Sequence, residues 1–194
     1  MTVRTVRVHE ARDVAQAVLS GLPSRWRHTV GVARCAEELA ATLDADDGEQ
    51  LVAAAWLHDI GYAEDLVDTG FHPLDGARFL DRHRWPSRIS ALVAHHSGAA
   101  FVATARGLDH ELRHYPSEES SVSDALTYAD QTTGANGERT TVARRMADML
   151  RRHGPESPNA CVHHVRGPYL LAVAERVERQ LRSSGVSRAG DPRR

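Results

Sequence analysis

The chain of 194 residues contains no lysine, so all 24 of its basic side chains are arginine. Any phosphate it holds must be met by guanidinium, imidazole, a metal ion or backbone N–H groups. Cysteine is nearly as scarce. Cys35 and Cys161 are too few for a disulfide framework or a cysteine-based zinc motif, and Cys35 falls at a helical core phase as a small apolar residue. Aromatics make up 5% against 41% hydrophobic residues, so the core must be assembled mainly from Ala, Val and Leu. No apolar run approaches the roughly 18–20 residues of a membrane span, and the N-terminal stretch lacks the continuous apolar region of a secretory leader. The expectation is a soluble, cytoplasmic protein with no membrane partner. A formal net charge of −2 argues against a nucleic-acid coat and leaves a nucleic-acid partner unexpected.

What is present is helical periodicity. The length suits one domain with a core that needs no staples. Residues 1–182 are read as that domain, and the Ser/Gly/Pro/Arg-rich 183–194 as a disordered tail. Residues 2–9 alternate Thr, Val and Arg without a helical period, as a short strand or a loose end. A helical stripe then runs from Glu10 to Leu22. Ser24 is placed to cap the next helix, which carries Val30, Ala33, Ala36 and Leu39 on one face. Asp44 to Gly48 reads as a turn. The helix from Glu49 to His58 is too apolar for a surface element and belongs in the middle of a bundle. Gly61 closes it, as an ordinary helix cap or as the point where the backbone bends. Residues 61–70 form an acidic loop with Glu64, Asp65 and Asp68.

Phe71-His72-Pro73 opens another helix, since Pro is favoured at a first helical position. Trp85-Pro86 breaks it, and Ile89, Leu92, Val93 and His96 share one face of the helix that follows, closed by Gly98. A short helix falls within 101–116, a solvated loop at 117–121, and Val122 to Ala129 is a helix that delivers Asp130. After a turn at Gly134 and Gly137, a charged amphipathic helix spans about Arg139 to Arg152, read as a solvated face or partner contact. The last helix covers Gly167 to Leu181. The periodicities therefore predict an all-α bundle of about seven to nine helices.

The chemistry centres on His58-Asp59, side by side at the end of an apolar helix, where an ionised carboxylate needs a cation or a hydrogen-bond network. His28 lies upstream, His72 and His95-His96 downstream, and Asp130 follows in Tyr128-Ala129-Asp130-Gln131-Thr132-Thr133. Imidazoles and carboxylates in this number suit one or two octahedral divalent ions, Mn²⁺, Fe²⁺, Co²⁺, Ni²⁺ or Mg²⁺, with iron or manganese favoured. Neighbours on a helix differ by about 100°, so His58 and Asp59 reach one ion only where the helix ends.

The order His…His-Asp…His…His…Asp on helical segments, from about residue 25 to 134, resembles the HD superfamily of metal-dependent phosphohydrolases. The resemblance implies a single HD-type helical domain with His28, His58, Asp59 and Asp130 around a first metal. Phe71-His72-Pro73-Leu74-Asp75-Gly76-Ala77 and Val93-Ala94-His95-His96-Ser97 resemble the helices that bring a second metal its ligands, with Asp59 bridging. His96 is preferred to His95 because it shares the face of Ile89, Leu92 and Val93. The catalytic elements are then Asp59 and a metal-bound water, and the substrate a small phosphorylated molecule. Arg25, one helical turn before His28, is a candidate phosphate clamp or a salt-bridge partner. His95 and Thr133 are further candidates for substrate contact. The remaining histidines have no counterpart in the pattern.

Many HD proteins carry a Lys soon after the His-Asp pair, where this chain has Gly61-Tyr62-Ala63-Glu64. No Gly-Tyr-Pro follows His95-His96, which argues against a cyclic-di-GMP phosphodiesterase of that subtype. The Arg-x-x-His-Thr start, the His72 helix and the single His-Ser pair resemble the bacterial dinucleoside-tetraphosphate hydrolases. The same ligand order also resembles mixed-valent di-iron oxygenases, and a metal-dependent ligand sensor would share it. A homodimer is compatible with the pattern.

Overall fold

From Leu51 to Leu57 every side chain is buried, a demand that only a helix enclosed on all sides can meet. The structure that encloses it is a computed structural model describing residues 7–184. In it, α1 (Val8–Leu19), α2 (Pro23–Ala40), α5 (Ser87–His95) and α8 (Ser121–Gln131) pack around the central helix α3 (Ala45–Leu57). A second group consists of α4 (His72–Arg82), α6 (Ala99–Arg106) and α7 (Asp109–Leu112). The chain ends with α9 (Val142–His153), α10 (Pro158–Cys161) and α11 (His163–Ser183), the last lying along α8 and α9. Among the described residues no strand forms, and Thr133 and Arg139 make one isolated bridge. The protein is all-α. Of the eleven helices among the described residues, nine are eight residues or longer, and the two others are single turns of four.

The core follows the composition. One cluster draws Ala11 and Ala15 from α1, Val32, Ala33 and Ala36 from α2, the buried run of α3, and Leu126, Leu170 and Val177 from α8 and α11. Burying each such Leu or Val contributes about 1.5–3 kcal/mol relative to exposure. A smaller cluster of Phe71, Leu74, Ala77, Ala91, Ala94, Val102 and Leu112 ties α4 to α5, α6 and α7. It fixes the N-terminus of α4 and the C-terminus of α5, where His72 and His96 stand.

Several boundaries differ from expectation for identifiable reasons. Val8 and His9 already belong to α1, while the rest of the expected strand or loose end lies at or beyond the edge of the described residues. Of the expected tail, Ser183 is helical and residues 185–194 lie outside the described residues. Ser24 does not cap α2. Pro23 takes its first position, and the Ser24 hydroxyl donates instead to the Ala135 carbonyl at 3.2 Å. The expected turn at Asp44–Gly48 is the first turn of α3, because the Asp44 carboxylate accepts from the Asp47 N–H at 2.9 Å.

Gly61 is not a helix cap. Helix α3 stops at Leu57, and Gly61 lies in a 3-10 turn, Ile60–Tyr62, that rests directly on α4. A β-carbon there would come within 2.1 Å of the His72 carbonyl oxygen and 2.6 Å of the Gly76 nitrogen. Only glycine allows this approach, and it brings the segment after Asp59 against the helix that carries His72. The region expected as one short helix at 101–116 divides into α6 and α7 at Gly107, whose φ is +70°.

Candidate metal centre

Four of the five helices that deliver these residues begin or end where they do so. His58 is the last residue with helical backbone after α3, and Asp59 leaves the helix at φ −105°, ψ 5°, which lets the two neighbours face one centre. His72 is the first residue of α4. His96 turns extended at the end of α5 (φ −57°, ψ 151°), and Ser97 follows in the left-handed region at φ 54°. Asp130 comes from the last turn of α8, and His28 from the second turn of α2.

The side chains converge into two triads, His28 with His58 and Asp130, and Asp59 with His72 and His96, each close enough for three donor atoms to share an ion. Asp59 joins them. Its Oδ2 lies 3.5 Å from His58 Nε2 and 3.8 Å from His28 Nε2, while Oδ1 lies 3.4 Å from His72 Nε2. His72 and His96 place their Nε2 atoms 3.3 Å apart.

The imidazoles carry their own argument for a cation. Nδ1–H donates to a backbone carbonyl in three of them: His28 to Gly134 at 2.9 Å, His58 to Ala55 at 2.8 Å and His96 to Val93 at 2.6 Å. A carbonyl only accepts, so the proton of each neutral ring sits on Nδ1 and the Nε2 lone pair points inward. The His28 lone pair then faces the Asp130 carboxylate at 2.9 Å, a meeting that calls for positive charge; the Arg145 guanidinium lies 3.3 Å from both atoms, and a metal ion would add to it. Among the described residues His58 Nε2 is buried without any hydrogen-bond partner. A divalent ion with nitrogen and oxygen ligands fits this set of atoms.

Electrostatics agree. Burial, the largest effect, pushes the His58 imidazole down to about 4 despite the pull of Asp59 and Asp130. Burial alone would raise the Asp59 carboxyl, but His58 and Arg25 outweigh it and hold the group well below the usual carboxylate range. Asp130 is likewise held down, against its burial, by His28 and Arg145. Both carboxylates are ionised and ready to bind a cation.

The glycine at position 31 explains how His28 obtains its acceptor. A β-carbon on Gly31 would lie 2.6 Å from the Gly137 carbonyl oxygen. Its absence lets the turn at 134–137 press onto α2 and present the Gly134 carbonyl.

The family can now be judged against this geometry. The HD domain family matches residues 25–157, more than half of the chain. The chain belongs to the HD domain family. No curated protein and no solved structure matches it. The HD match takes in all six triad residues and Arg25, and it ends before α11.

The other candidates separate clearly. Arg25 donates to Asp59 Oδ2 at 3.0 Å and lies with its Cζ 3.8 Å from the centre of the Tyr62 ring, on the wall of the cleft outside the triads. His95 is not brought to the cleft. It points away from His96, with Nε2 2.8 Å from the Tyr115 carbonyl, because successive residues on α5 face different sides. Thr133 is not brought there either, since its hydroxyl donates to the Ala129 carbonyl at 2.8 Å. Glu64, Asp65 and Asp68 are exposed, as are His110 and His114.

Four residues were not singled out from sequence. Ser97, named only as the residue after His96, donates its hydroxyl to Asp130 Oδ2, which also accepts from Gln131 Nε2 at 2.9 Å. Arg145 is buried and reaches Asp130 Oδ1 and His28 Nε2, both at 3.3 Å. Its helix is therefore not merely a solvated face. Arg145 lies among Val142 and Met146 on the buried side, and an arginine on an apolar stripe was the signal available. Tyr62 stacks on His72 with ring centres 3.9 Å apart and planes inclined by 17°. The cleft of about 220 Å³ beside the triads is lined by five arginines, Arg25, Arg106, Arg145, Arg152 and Arg166, against two aspartates, Asp59 and Asp130.

Proposed function

We propose that this HD domain is a metal-dependent phosphohydrolase for a small phosphorylated substrate, a nucleotide or similar metabolite. The observation that carries the reading is the joining of two His-His-Asp triads by Asp59 at the floor of an arginine-lined cleft. Iron or manganese is the proposed ion, on the mixed imidazole and carboxylate donor set. Bound divalent ions would neutralise phosphate charge and lower the pKa of a water to near neutrality.

The chain's own residues supply the rest. Asp59, with one oxygen toward each triad, sets the spacing between the two centres. Arg25, held by Asp59 and the Tyr62 ring, keeps a guanidinium at the cleft wall where a phosphate oxygen can meet it. Burial pushes the Tyr62 phenol up to about 12, so it keeps its proton and can donate to a substrate oxygen. Ser97, Gln131 and Arg145 hold the Asp130 carboxylate in one orientation. The oxygenase and sensor readings share the triads, but the excess of arginine in the cleft favours an anionic substrate.

The test is phosphate release from a panel of mono- and dinucleotides with Mn²⁺, Fe²⁺ or Co²⁺ and oxygen excluded. Asp59→Ala should lose bound metal together with roughly 10³-fold or more in turnover. A variant that stays both metallated and active would sink the reading.

A further inference from the structure

Arg166 stands in α11, beyond the residues that match the HD family. Its side chain is buried, with 7% of the residue exposed, and it lines the cleft beside Ser97, Asp130 and Arg145. It makes a single hydrogen bond among the described residues, from Nε–H to the Ser97 carbonyl at 2.9 Å. Among the described residues no carboxylate comes within ion-pair distance of it. The other cleft arginines differ. Arg25 is paired with Asp59, Arg145 with Asp130 and Arg152 with Asp148. Arg106 also has no carboxylate partner among the described residues, but it is exposed and lies 5.5 Å over the Phe71 ring.

A guanidinium buried without a counterion is costly, and the cost is offset only when a negative group arrives. The one remaining Nε bond fixes the plane of the fork and leaves both Nη groups for a ligand. A planar fork with two parallel N–H groups matches two oxygens of a phosphate. We infer that Arg166 is a substrate-binding residue that grips a phosphate oxyanion of the substrate, through a contact the HD-matched segment does not supply. The inference rests on the phosphohydrolase reading of the same cleft. Burial, the leading effect, lowers the Arg166 pKa; the pull of the Asp130 carboxylate opposes this without overcoming it, and Arg145 adds to the lowering. Through Ser97, whose carbonyl accepts from Arg166 and whose hydroxyl donates to Asp130, the grip on phosphate is joined to a triad carboxylate.

The experiment is calorimetric titration of the full, metal-loaded chain with inorganic phosphate at constant ionic strength, comparing wild type with Arg166→Gln and Arg166→Lys. Arg113→Gln, an exposed arginine outside the cleft, serves as control. Arg166→Gln should weaken phosphate binding by about tenfold or more with metal content unchanged. Arg166→Lys keeps the charge, loses the fork and should fall in between. A phosphate Kd within twofold of wild type in Arg166→Gln overturns the inference. Should that variant not fold, an Arg166→Lys protein binding phosphate as tightly as wild type overturns it equally. A protein that binds phosphate through Arg166 yet hydrolyses no ester keeps this site and loses the hydrolase. One that hydrolyses esters with KM and phosphate Kd unmoved by Arg166→Gln keeps the hydrolase and loses this site.

Discussion

The two triads have the same composition, two histidines and one aspartate, and they sit in unlike surroundings. In the first, His28, His58 and Asp130 are all buried, both imidazoles are pinned to backbone carbonyls, and the carboxylate is gripped by Arg145, Ser97 and Gln131. In the second, His96 is pinned to the Val93 carbonyl and Asp59 is held by Arg25, but His72 opens α4 with 21% of its side chain exposed, and only stacking on Tyr62 orients its ring. Identical donors held with different firmness should bind ions with different strength, because outer partners that fix ligand orientation are commonly worth 10–100-fold in affinity. On that argument the first triad should be the tighter site for an ion and the second the one where an ion exchanges.

The sharpest way to break that comparison is to remove one imidazole from each side. His58→Ala should leave little metal, since the tighter site is destroyed and Asp59 loses a neighbour. His72→Ala should retain close to one ion per chain while turnover falls by roughly 10²-fold or more. Elemental analysis after gel filtration reads both. A His58→Ala protein that keeps two ions, or a His72→Ala protein that keeps none, would reverse the ranking of the sites.

Next in size is a pH effect on the metal-free chain. His58 titrates near 4 in the folded protein because burial disfavours its charged form, whereas the unfolded chain titrates near the ordinary histidine value. The unfolded state therefore binds the extra proton as pH falls, and folding stability declines over the window from about 6.5 to about 4. A shift of that size corresponds to roughly 3 kcal/mol by linkage. Above the upper limit both states are neutral and the stability is fully present. Urea denaturation in chelator at pH 7 and pH 4.5 should show the decline, and His58→Gln should reduce it, the remainder including His72, whose pKa burial also lowers. A slope unchanged in that variant would mean that His58 is not held neutral, and the account of the first triad would fail.

How much of this arrangement was legible in the sequence depends on how local each cause is. The Leu51–Leu57 run announced a buried central helix, and Phe71-His72-Pro73 announced the start of α4, because burial and proline geometry act within a few residues. The six triad residues were legible as an ordered set, although no single one would have been. Ser24, read as a cap, and the helix-cap reading of Gly61 failed because their partners are remote in sequence: the Ala135 carbonyl for one and the backbone of α4 for the other. Arg145 and Arg166 were passed over for a related reason. An arginine on a helix is ordinarily solvated, and only the packing of α9 and α11 against the ends of α2, α5 and α8 buries these two beside the site.

The smallest effect concerns the residue where the two triads meet. Ser97 follows His96 of the second triad, and its hydroxyl holds Asp130 of the first. Its backbone is left-handed at φ 54°, which costs a residue with a β-carbon about 1–2 kcal/mol. That conformation is imposed from three sides. The Ser97 N–H donates to Thr127 Oγ1 at 3.1 Å, its carbonyl accepts from Arg166, and its hydroxyl is engaged with Asp130 and Gln131. Ser97→Gly and Ser97→Ala both remove the hydroxyl, and each should weaken the tighter metal site by about tenfold. They should part company in stability, with the glycine variant about 1 kcal/mol more stable than the alanine one because only alanine retains the strain. Metal titration together with denaturant melts separates the two contributions. If both variants bind metal as the wild type does, Asp130 is positioned without Ser97 and the triads are tied together by Asp59 alone. If affinity falls in both while only alanine destabilises, the strained turn is kept for the metal centre rather than for the fold.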